Sequence, residues 1–251
     1  MRRILLGMAL VGVVALSVCV VAGAAEKPAQ IKVLLIGGDD VAPYHDHHEI
    51  SEKTREALIA SDRFVVKVCE DPAILESSTA LARYDVIALT MYNGSTPTIN
   101  NQAKENLLNF VKSGKGFYVQ HLASAAFKEW DEFGKLCGRK WVMGTSGHGP
   151  RSVFDVKIKN ADHPITKGMK DFKIFDELYA KLQGDTDIDV LVSAYSDWSE
   201  KEEPLVFSRS YGQGRSVHNA LGHDFKAILN SSTAQLIRRS VEWAATGRVV
   251  E

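Results

Sequence analysis

Two hydrophobic periodicities alternate along the first half of the chain, and this alternation constrains the fold more than any other feature. Short, nearly continuous apolar runs occupy residues 31–36, 64–69, 84–89 and 116–121. Between them, residues 49–60 and 98–112 place apolar side chains at helical spacing among charged ones. Apolar runs of this length are typical of strands buried on both faces. Strands that alternate with helices predict an α/β fold with a mostly parallel central sheet, covered by helices on both faces.

The second half of the chain is less regular. Residues 152–159 alternate between apolar and polar side chains, as a half-exposed strand does, and residues 188–194 form another candidate strand. The runs 204–208 and 215–220 flank the sequence YGQG, which predicts a hairpin with a glycine-rich turn. Residues 232–246 predict a closing amphipathic helix. No internal repeat is visible, so residues 26–251 are predicted to form a single domain.

The N-terminus has the pattern of a secretory signal peptide. Arg2 and Arg3 precede an apolar run from residue 4 to residue 21, and Ala22-Gly23-Ala24-Ala25 follows it. An uncleaved anchor is the alternative, but the small residues of the run and the A-x-A pattern favour cleavage after Ala24 or Ala25. The sequence therefore predicts a leader over residues 1–25 and a periplasmic or secreted protein, with no stable membrane insertion after cleavage.

The charge balance argues against nucleic-acid binding, and the cysteine spacing argues against a cysteine-based metal site. The chain has a formal net charge of −1 and no long run of one sign, and loss of the two leader arginines makes it more negative. Nucleic acid is therefore not an expected partner. Cys69 and Cys137 remain after cleavage without metal-binding spacing, and two separate buried thiols are at least as well supported as a disulfide.

Polar loops follow several of the predicted strands. Residues 37–49 read GGDDVAPYHDHHE, residues 90–94 read TMYNG, and residues 121–124 read HLAS. A later segment, Gly222-His223-Asp224, follows the predicted hairpin. Because ligands bind at the carboxyl ends of parallel strands, these loops are expected to meet at one site.

Several of these segments together resemble a known family. A strand ending in GGDD precedes YHD, and FYVQH ends another strand that leads into a predicted helix with Trp130. HPITKGM begins at His163, and DELY occupies residues 176–179. YGQGRSVHNALGH covers residues 211–223. In this order, from about residue 31 to about residue 243, the segments resemble the ThuA-like (trehalose-utilisation) family. The resemblance implies a flavodoxin-like, three-layer fold related to the class I glutamine amidotransferases, and a link to sugar metabolism.

The relation to amidotransferases can be tested on the residues. Those enzymes need a cysteine on the sharp turn after a central strand, where its thiol pKa is lowered and a histidine assists it. Here the matching turn, residues 119–123, contains no Cys, Ser or Thr, and Cys137 lies too far along the chain. Amidotransferase activity by that mechanism is excluded. The resemblance implies that His at this turn is a family trait.

The candidate catalytic residues are His121, His223 and Glu177, with Asp46 as the alternative carboxylate. A neutral imidazole can act as a general base or as a metal ligand. His45, His121 and His223 are the candidate ligands if a divalent metal is present, and the sequence leaves its presence open. Adjacent carboxylates in DELY point to different faces, so we expect Glu177 to reach the site while Asp176 caps the next element.

The candidate substrate-binding residues come from the same loops and from the hairpin: Gly38, Asp39, His45, Asp46, Tyr92, Asn93 and Arg215. Several residues also have structural interpretations. Asp46 can cap a helix, Arg215 can form an ion pair that holds the hairpin, and His47 and His48 are expected to be solvated residues at a helix start. His163 is expected to be structural, and His148 lies in a glycine-rich loop that is either a lid or without a role.

Two functions follow from this pattern. The first is an exported enzyme that hydrolyses or eliminates a sugar or keto-glycoside by histidine acid–base or metal-assisted chemistry. The second is a non-catalytic domain that binds a sugar or another small ligand. In both cases the predicted partner is a small carbohydrate. The sequence leaves open whether the chain also forms a homodimer.

Overall fold

The structure is a computed structural model that describes residues 29–38, 44–92 and 99–250. The predicted leader and two of the candidate substrate-binding residues, Asp39 and Asn93, lie outside the described residues. Among the described residues, no helix combines the length and the apolar composition needed to cross a bilayer.

The strands and helices follow the alternating order expected from the sequence. In chain order the strands are β1 Ile31–Ile36, β2 Phe64–Cys69, β3 Val86–Leu89, β4 Gly116–Gln120, β5 Gly147–His148, β6 Ser152–Ile158, β7 Phe172–Asp176, β8 Tyr179–Ala180, β9 Asp189–Ser196, β10 Lys201–Tyr211 and β11 Gly214–Asn219. The α-helices are α1 His47–Ile59, α2 Ser78–Leu81, α3 Asn101–Lys112, α4 Asp131–Cys137, α5 Phe225–Ile228 and α6 Ser231–Thr246. Short 3-10 turns span Pro72–Glu76 and His121–Ala125.

Nine of the strands form one mixed sheet in the order β2-β1-β3-β4-β11-β10-β9-β6-β7. The pairs from β2 to β11 are parallel, and the pairs from β11 to β7 are antiparallel. The predicted parallel sheet is therefore confirmed for five strands, and an antiparallel half extends it. The change occurs at the hairpin between β10 and β11, because a connection this short reverses the chain. Because successive strands of the antiparallel half alternate in direction, β9 and β7 run in the same direction as the parallel strands.

The core has two layers, one on each face of the sheet. Val33 and Leu35 of β1 belong to the layer under α1 and α6, whereas Leu34 and Ile36 belong to the layer under α3. Successive residues of a strand point to opposite faces, so a central strand covered on both sides must be apolar at every position. This explains the continuous apolar runs of the sequence.

The structure differs from the sequence expectation directly after β4. The sequence predicted a helix there that contains Trp130, but a 3-10 turn follows β4, and Trp130 lies at the start of α4. Strand β7 and the short strands β5 and β8 were not predicted. Cys69 and Cys137 are free thiols, and Cys137 is buried, which agrees with two separate thiols rather than a disulfide.

Candidate functional site

Four side chains from distant parts of the chain meet at the carboxyl-end edge of the sheet. His121 follows β4, His223 follows β11, Glu177 follows β7, and His45 precedes α1. One ligand atom from each lies within 4.8 Å of the others. We call these four residues the histidine–glutamate cluster. The sequence predicted that the loops of His45, His121 and His223 meet, and it gave Glu177 as a carboxylate partner. The catalytic roles assigned to these residues remain predictions.

His121 occupies the sharp turn after β4 in a strained backbone conformation. Its φ is 49°, in the left-handed region, which costs a non-glycine residue roughly 1–2 kcal/mol. The Nδ1–H donates to the carbonyl oxygen of Ala220 at 2.8 Å, and the ring stacks on Tyr179 with centroids 4.0 Å apart. These contacts fix the ring, and the proton on Nδ1 points at the carbonyl oxygen of Ala220. The lone pair of Nε2 therefore faces the cluster.

Glu177 lies at the centre of the cluster. Its Oε2 is 3.4 Å from Nε2 of His121 and 3.1 Å from Nδ1 of His223. Burial alone would raise the pKa of the Glu177 carboxyl, but the contacts with His121 and His223 outweigh burial and hold the pKa well below its ordinary value. The carboxylate is therefore ionised when the cluster forms.

His45 closes the cluster on the side of α1. Its ring centroid is 5.2 Å from that of His121 and 4.6 Å from that of His223. Burial, with further contributions from His121 and His223, lowers the pKa of His45 to about 3. The imidazole is therefore neutral near pH 7, which is the form that binds a metal ion.

Asp176 positions the loop that carries His223. Its carboxylate accepts hydrogen bonds from the backbone N–H groups of Glu177 at 2.9 Å, Gly222 at 2.7 Å and His223 at 3.1 Å. Burial is the largest influence on this carboxyl and raises its pKa, although His121 and the amide donors oppose that effect. As expected from the sequence, one carboxylate of DELY reaches the site and the other satisfies backbone groups.

The arrangement has the donor chemistry of a metal centre. Four ligand atoms are buried and, beyond their contacts with one another, have no hydrogen-bond partner among the described residues: Nδ1 of His45, Nε2 of His121, Nδ1 of His223 and Oε2 of Glu177. Such atoms are costly to bury unless a bound group satisfies them. Zinc bonds to histidine nitrogen and carboxylate oxygen are about 2.0–2.2 Å long in tetrahedral geometry. Since the four atoms already lie within 4.8 Å of one another, a small contraction would place them around one ion.

A further imidazole lies at the edge of the cluster, and the sequence did not assign it there. Nε2 of His148 is 3.6 Å from Oε2 of Glu177, and its side chain remains one-third exposed. Strand β5 holds His148 in place by pairing it with Tyr179 of β8. Trp141 packs against both rings. The sequence left open whether the loop of His148 is a lid or has no role, and the structure shows a short strand against the site.

Three of the predicted substrate-binding residues have structural contacts, and their part in substrate binding remains a prediction. Arg215 donates from Nε and Nη2 to the last carbonyl groups of α6, so it caps that helix away from the cluster. Asp46 accepts from the backbone N–H of Glu49 and is the N-cap of α1. Gly38 has a φ of 99°, and a Cβ there would lie 2.3 Å from the carbonyl oxygen of Glu70. Each residue is explained by the backbone it supports.

The remaining histidines and Tyr92 also have defined positions. The expectation that His47 is solvated is wrong, because it is buried and its Nδ1 bonds to the carbonyl oxygen of Thr90 at 2.8 Å. His48 is exposed, as predicted, and bonds to Glu70. Tyr92 is half-buried after β3. His163 has a structural role, since its Nδ1 accepts from the backbone of a turn and its ring packs against Trp243.

Comparisons with known proteins agree with this fold. A ThuA-like protein from Parabacteroides merdae has 27% identity and a TM-score of 0.78, over 89% of this chain and 92% of that one. A ThuA-like protein from Bacteroides uniformis has 19% identity and a TM-score of 0.70, over 88% and 94%. A β-galactosidase from Bacillus circulans sp. alkalophilus has 14% identity and a TM-score of 0.56, over 84% of this chain and 30% of that one, which shows a shared fold alone.

The family model gives the most specific comparison. No curated protein matches the chain significantly. The model described as ThuA, trehalose utilisation, matches residues 32–244. This range contains every residue of the histidine–glutamate cluster and both halves of the mixed sheet. The chain therefore belongs to the ThuA family.

Proposed function

We propose that the protein is a metal-dependent enzyme that cleaves a carbohydrate derivative. The main support is the convergence of four buried ligand atoms that, within the described part of the chain, have no hydrogen-bond partner outside the cluster. Three imidazoles and one carboxylate suit a divalent first-row transition ion such as zinc. The family's description, trehalose utilisation, supports a sugar as the substrate.

Each residue of the site has a defined task in this proposal. A bound ion would polarise a substrate carbonyl oxygen or lower the pKa of a water molecule. The hydrogen bond from Nδ1 of His121 to the carbonyl oxygen of Ala220 leaves Nε2 available as a ligand atom, and carbonyl groups hold the other ring nitrogen of histidine ligands in the same way in known metal sites. Asp176 holds the backbone of His223 in register. His148 lies outside the four ligands and is one-third exposed, so it is the candidate general base.

A keto-glycoside is a substrate that suits these catalytic groups. A ketone acidifies the neighbouring C–H bond, and polarisation of its oxygen acidifies it further, so an imidazole can remove the proton. Departure of the glycosidic oxygen with a proton then releases the second sugar as an alcohol and leaves an unsaturated keto sugar. Hydrolysis of a sugar bond at the same site is the other form of the proposal, with water supplying the hydroxyl group.

Elemental analysis combined with a turnover assay tests the proposal. The chain over residues 26–251 would be purified with a tag that contains no histidine, and its metal content measured. Oxidised and unmodified disaccharides would then be incubated with the protein before and after treatment with EDTA. We expect one ion per chain, turnover that EDTA abolishes, and loss of both in His121→Ala. The matched control, His48→Ala, removes an exposed imidazole and should change neither.

The outcomes separate the two functions considered from the sequence. Saccharide binding without turnover, in a protein with its full complement of metal, would favour the non-catalytic binding domain. Turnover that persists without metal and depends on His121 would favour an imidazole base. A protein that takes up no ion from zinc, iron, nickel or manganese solutions would refute the metal centre.

We also propose that the enzyme acts outside the cytoplasm on a small soluble carbohydrate. The support is the leader pattern of residues 1–25, together with the absence of any basic stretch that would favour nucleic acid. N-terminal sequencing of the protein recovered from the cell exterior or periplasm should begin near residue 25 or 26. Recovery of the intact N-terminus with the membrane fraction would refute export by cleavage.

A further inference from the structure

A groove lies beside the cluster on the antiparallel half of the sheet. It has a volume of about 450 Å³, within the range of about 300–1,000 Å³ typical of small-molecule sites. Val153, Phe154, Leu178, Tyr195, Asp197 and Trp198 contribute most of its side-chain lining. Because β9 runs in the direction of the parallel strands, Asp197 and Trp198 leave the sheet at the same edge as the cluster.

The groove and the cluster share the same backbone segments. Gly149, which lines the groove, follows His148, and Leu178 lies between Glu177 and Tyr179. The pairing of His148 with Tyr179 holds these two segments together. Residues that line the groove are therefore direct chain neighbours of Glu177, which belongs to the cluster, and of His148, which lies at its edge.

Two aromatic rings in the groove remain exposed. Tyr195 is 60% exposed and Trp198 is 44% exposed. Trp198 is held in place nevertheless: a Cβ on Gly147 would lie 2.6 Å from its ring, and Nζ of Lys181 is 4.5 Å from the ring centroid. A fixed aromatic surface left in water is a common mark of a binding site.

A second hollow of about 440 Å³ continues the groove. It shares Val153, Phe154, Tyr195 and Asp197 with the first, and it adds charged side chains from β6 and β10, namely Asp155, Lys157 and Glu202. The apolar C–H face of a pyranose ring can stack on an aromatic ring, while carboxylates accept hydrogen bonds from its hydroxyl groups. The combination of stacking surfaces and acceptors over both hollows suits more than one sugar unit.

We propose that this groove binds the saccharide portion of the substrate, with uncleaved sugar units against Tyr195 and Trp198 and the reacting unit at the cluster. The identity of the ligand as a saccharide rests on the proposed function. A second copy of the chain is the competing occupant of this face. The ion pairs Lys157–Asp171, Lys159–Glu202 and Lys173–Asp155 surround it, and the cores of protein interfaces are poor in such residues.

Direct binding measurements test the groove without requiring turnover. EDTA-treated protein would be titrated calorimetrically with trehalose, maltose and cellobiose at millimolar concentrations. We expect binding of at least one of them, weakened about tenfold in both Trp198→Ala and Tyr195→Ala, as loss of a stacking surface implies. Tyr195→Ala guards against a folding defect, because that side chain is mostly exposed. The surface control, Val65→Ala on the opposite edge strand, should bind as the wild type does.

A double comparison separates this proposal from the metal centre. Trp198→Ala should lose saccharide affinity and keep its metal content, whereas His45→Gln should lose metal. Trp198-dependent binding in a protein that takes up no ion would preserve the groove and refute the proposed function. Saccharide affinities unaffected by both aromatic substitutions, or no binding of the three sugars, would overturn the groove. A stable dimer that Trp198→Ala dissociates would do so as well, and would assign this face to self-association.

Discussion

Zinc should stabilise the wild-type protein but not a variant that lacks one ligand of the histidine–glutamate cluster. The perturbation is His45→Gln, which replaces a buried imidazole with a neutral side chain of similar size; Nδ1 of that imidazole has no hydrogen-bond partner in residues 29–38, 44–92 and 99–250. The control is His48→Gln, the same chemical change three positions later. His48 is exposed and contacts Glu70 rather than the cluster.

The size of the effect follows from binding linkage. An ion that binds the folded state only, at a free concentration one hundred times its dissociation constant, adds about 2.7 kcal/mol of stability. For a domain of 150–250 residues, each kcal/mol raises the unfolding midpoint by about 2–4 °C, so the expected shift is about 5–11 °C. The four convergent ligand atoms make such an affinity reasonable, since His45 is already neutral and Glu177 is already ionised near pH 7.

The assay is thermal unfolding by circular dichroism of EDTA-treated protein, with zinc added back at a series of concentrations. The wild type and His48→Gln should show equal, saturable shifts of the midpoint, and His45→Gln should show little or none. Equal shifts in both variants would place the bound zinc on the surface. No shift in the wild type with any of the ions that suit imidazole ligands would contradict the reasoning from the unpartnered donor atoms.

Three further predictions concern residues around the site. Asp176→Asn should cost about 1.5–3 kcal/mol in urea unfolding, because a buried charge-assisted hydrogen bond to Gly222 is lost, and should weaken zinc affinity about 10–100-fold by releasing the loop of His223. Arg215→Ala should lower stability by about 1–3 kcal/mol through uncapping of α6, while a changed KM would restore its predicted substrate role. Burial lowers the pKa of His218 to about 3. Below about pH 6.5 this imidazole is therefore protonated in the unfolded chain but not in the folded one, so stability decreases as the pH decreases, by up to about 1.4 kcal/mol per pH unit. His218→Leu should remove that part of the slope in urea titrations between about pH 6.5 and 4, and an unchanged slope would show that another group causes it.

The local pattern of the sequence was sufficient for the central strands and the long helices. The predicted ranges 31–36 and 64–69 coincide with β1 and β2, and the closing helix begins within one residue of α6. These elements are predictable because a strand buried on both faces must be apolar at every position, and an amphipathic helix must repeat its apolar residues at helical spacing. Strand β7 and the pair β5–β8 were missed because they are short and alternate weakly.

The sequence predicted that polar residues form a site at the ends of the strands, but it did not predict every residue of that site. The sequence placed polar loops with His121 and His223 at one edge of a parallel sheet, and Glu177 was chosen from the DELY segment that resembles the family. It did not separate His45, in the cluster, from Asp46, which caps α1, because both lie in one loop and local spacing does not say which side chain turns inward. The sequence did not place His148 at the site, since its position depends on pairing with Tyr179.

The sequence by itself determined which segments are buried, which are helical, and that a thiol nucleophile is absent from the turn after β4. Only the tertiary structure decided that four ligand atoms from distant loops share one point, that Arg215 faces a helix end, and that an aromatic groove adjoins the cluster. The physical reason is that burial and helical periodicity are local properties of the chain. Convergence depends instead on strand order, direction and register, which are set by packing between residues far apart in sequence.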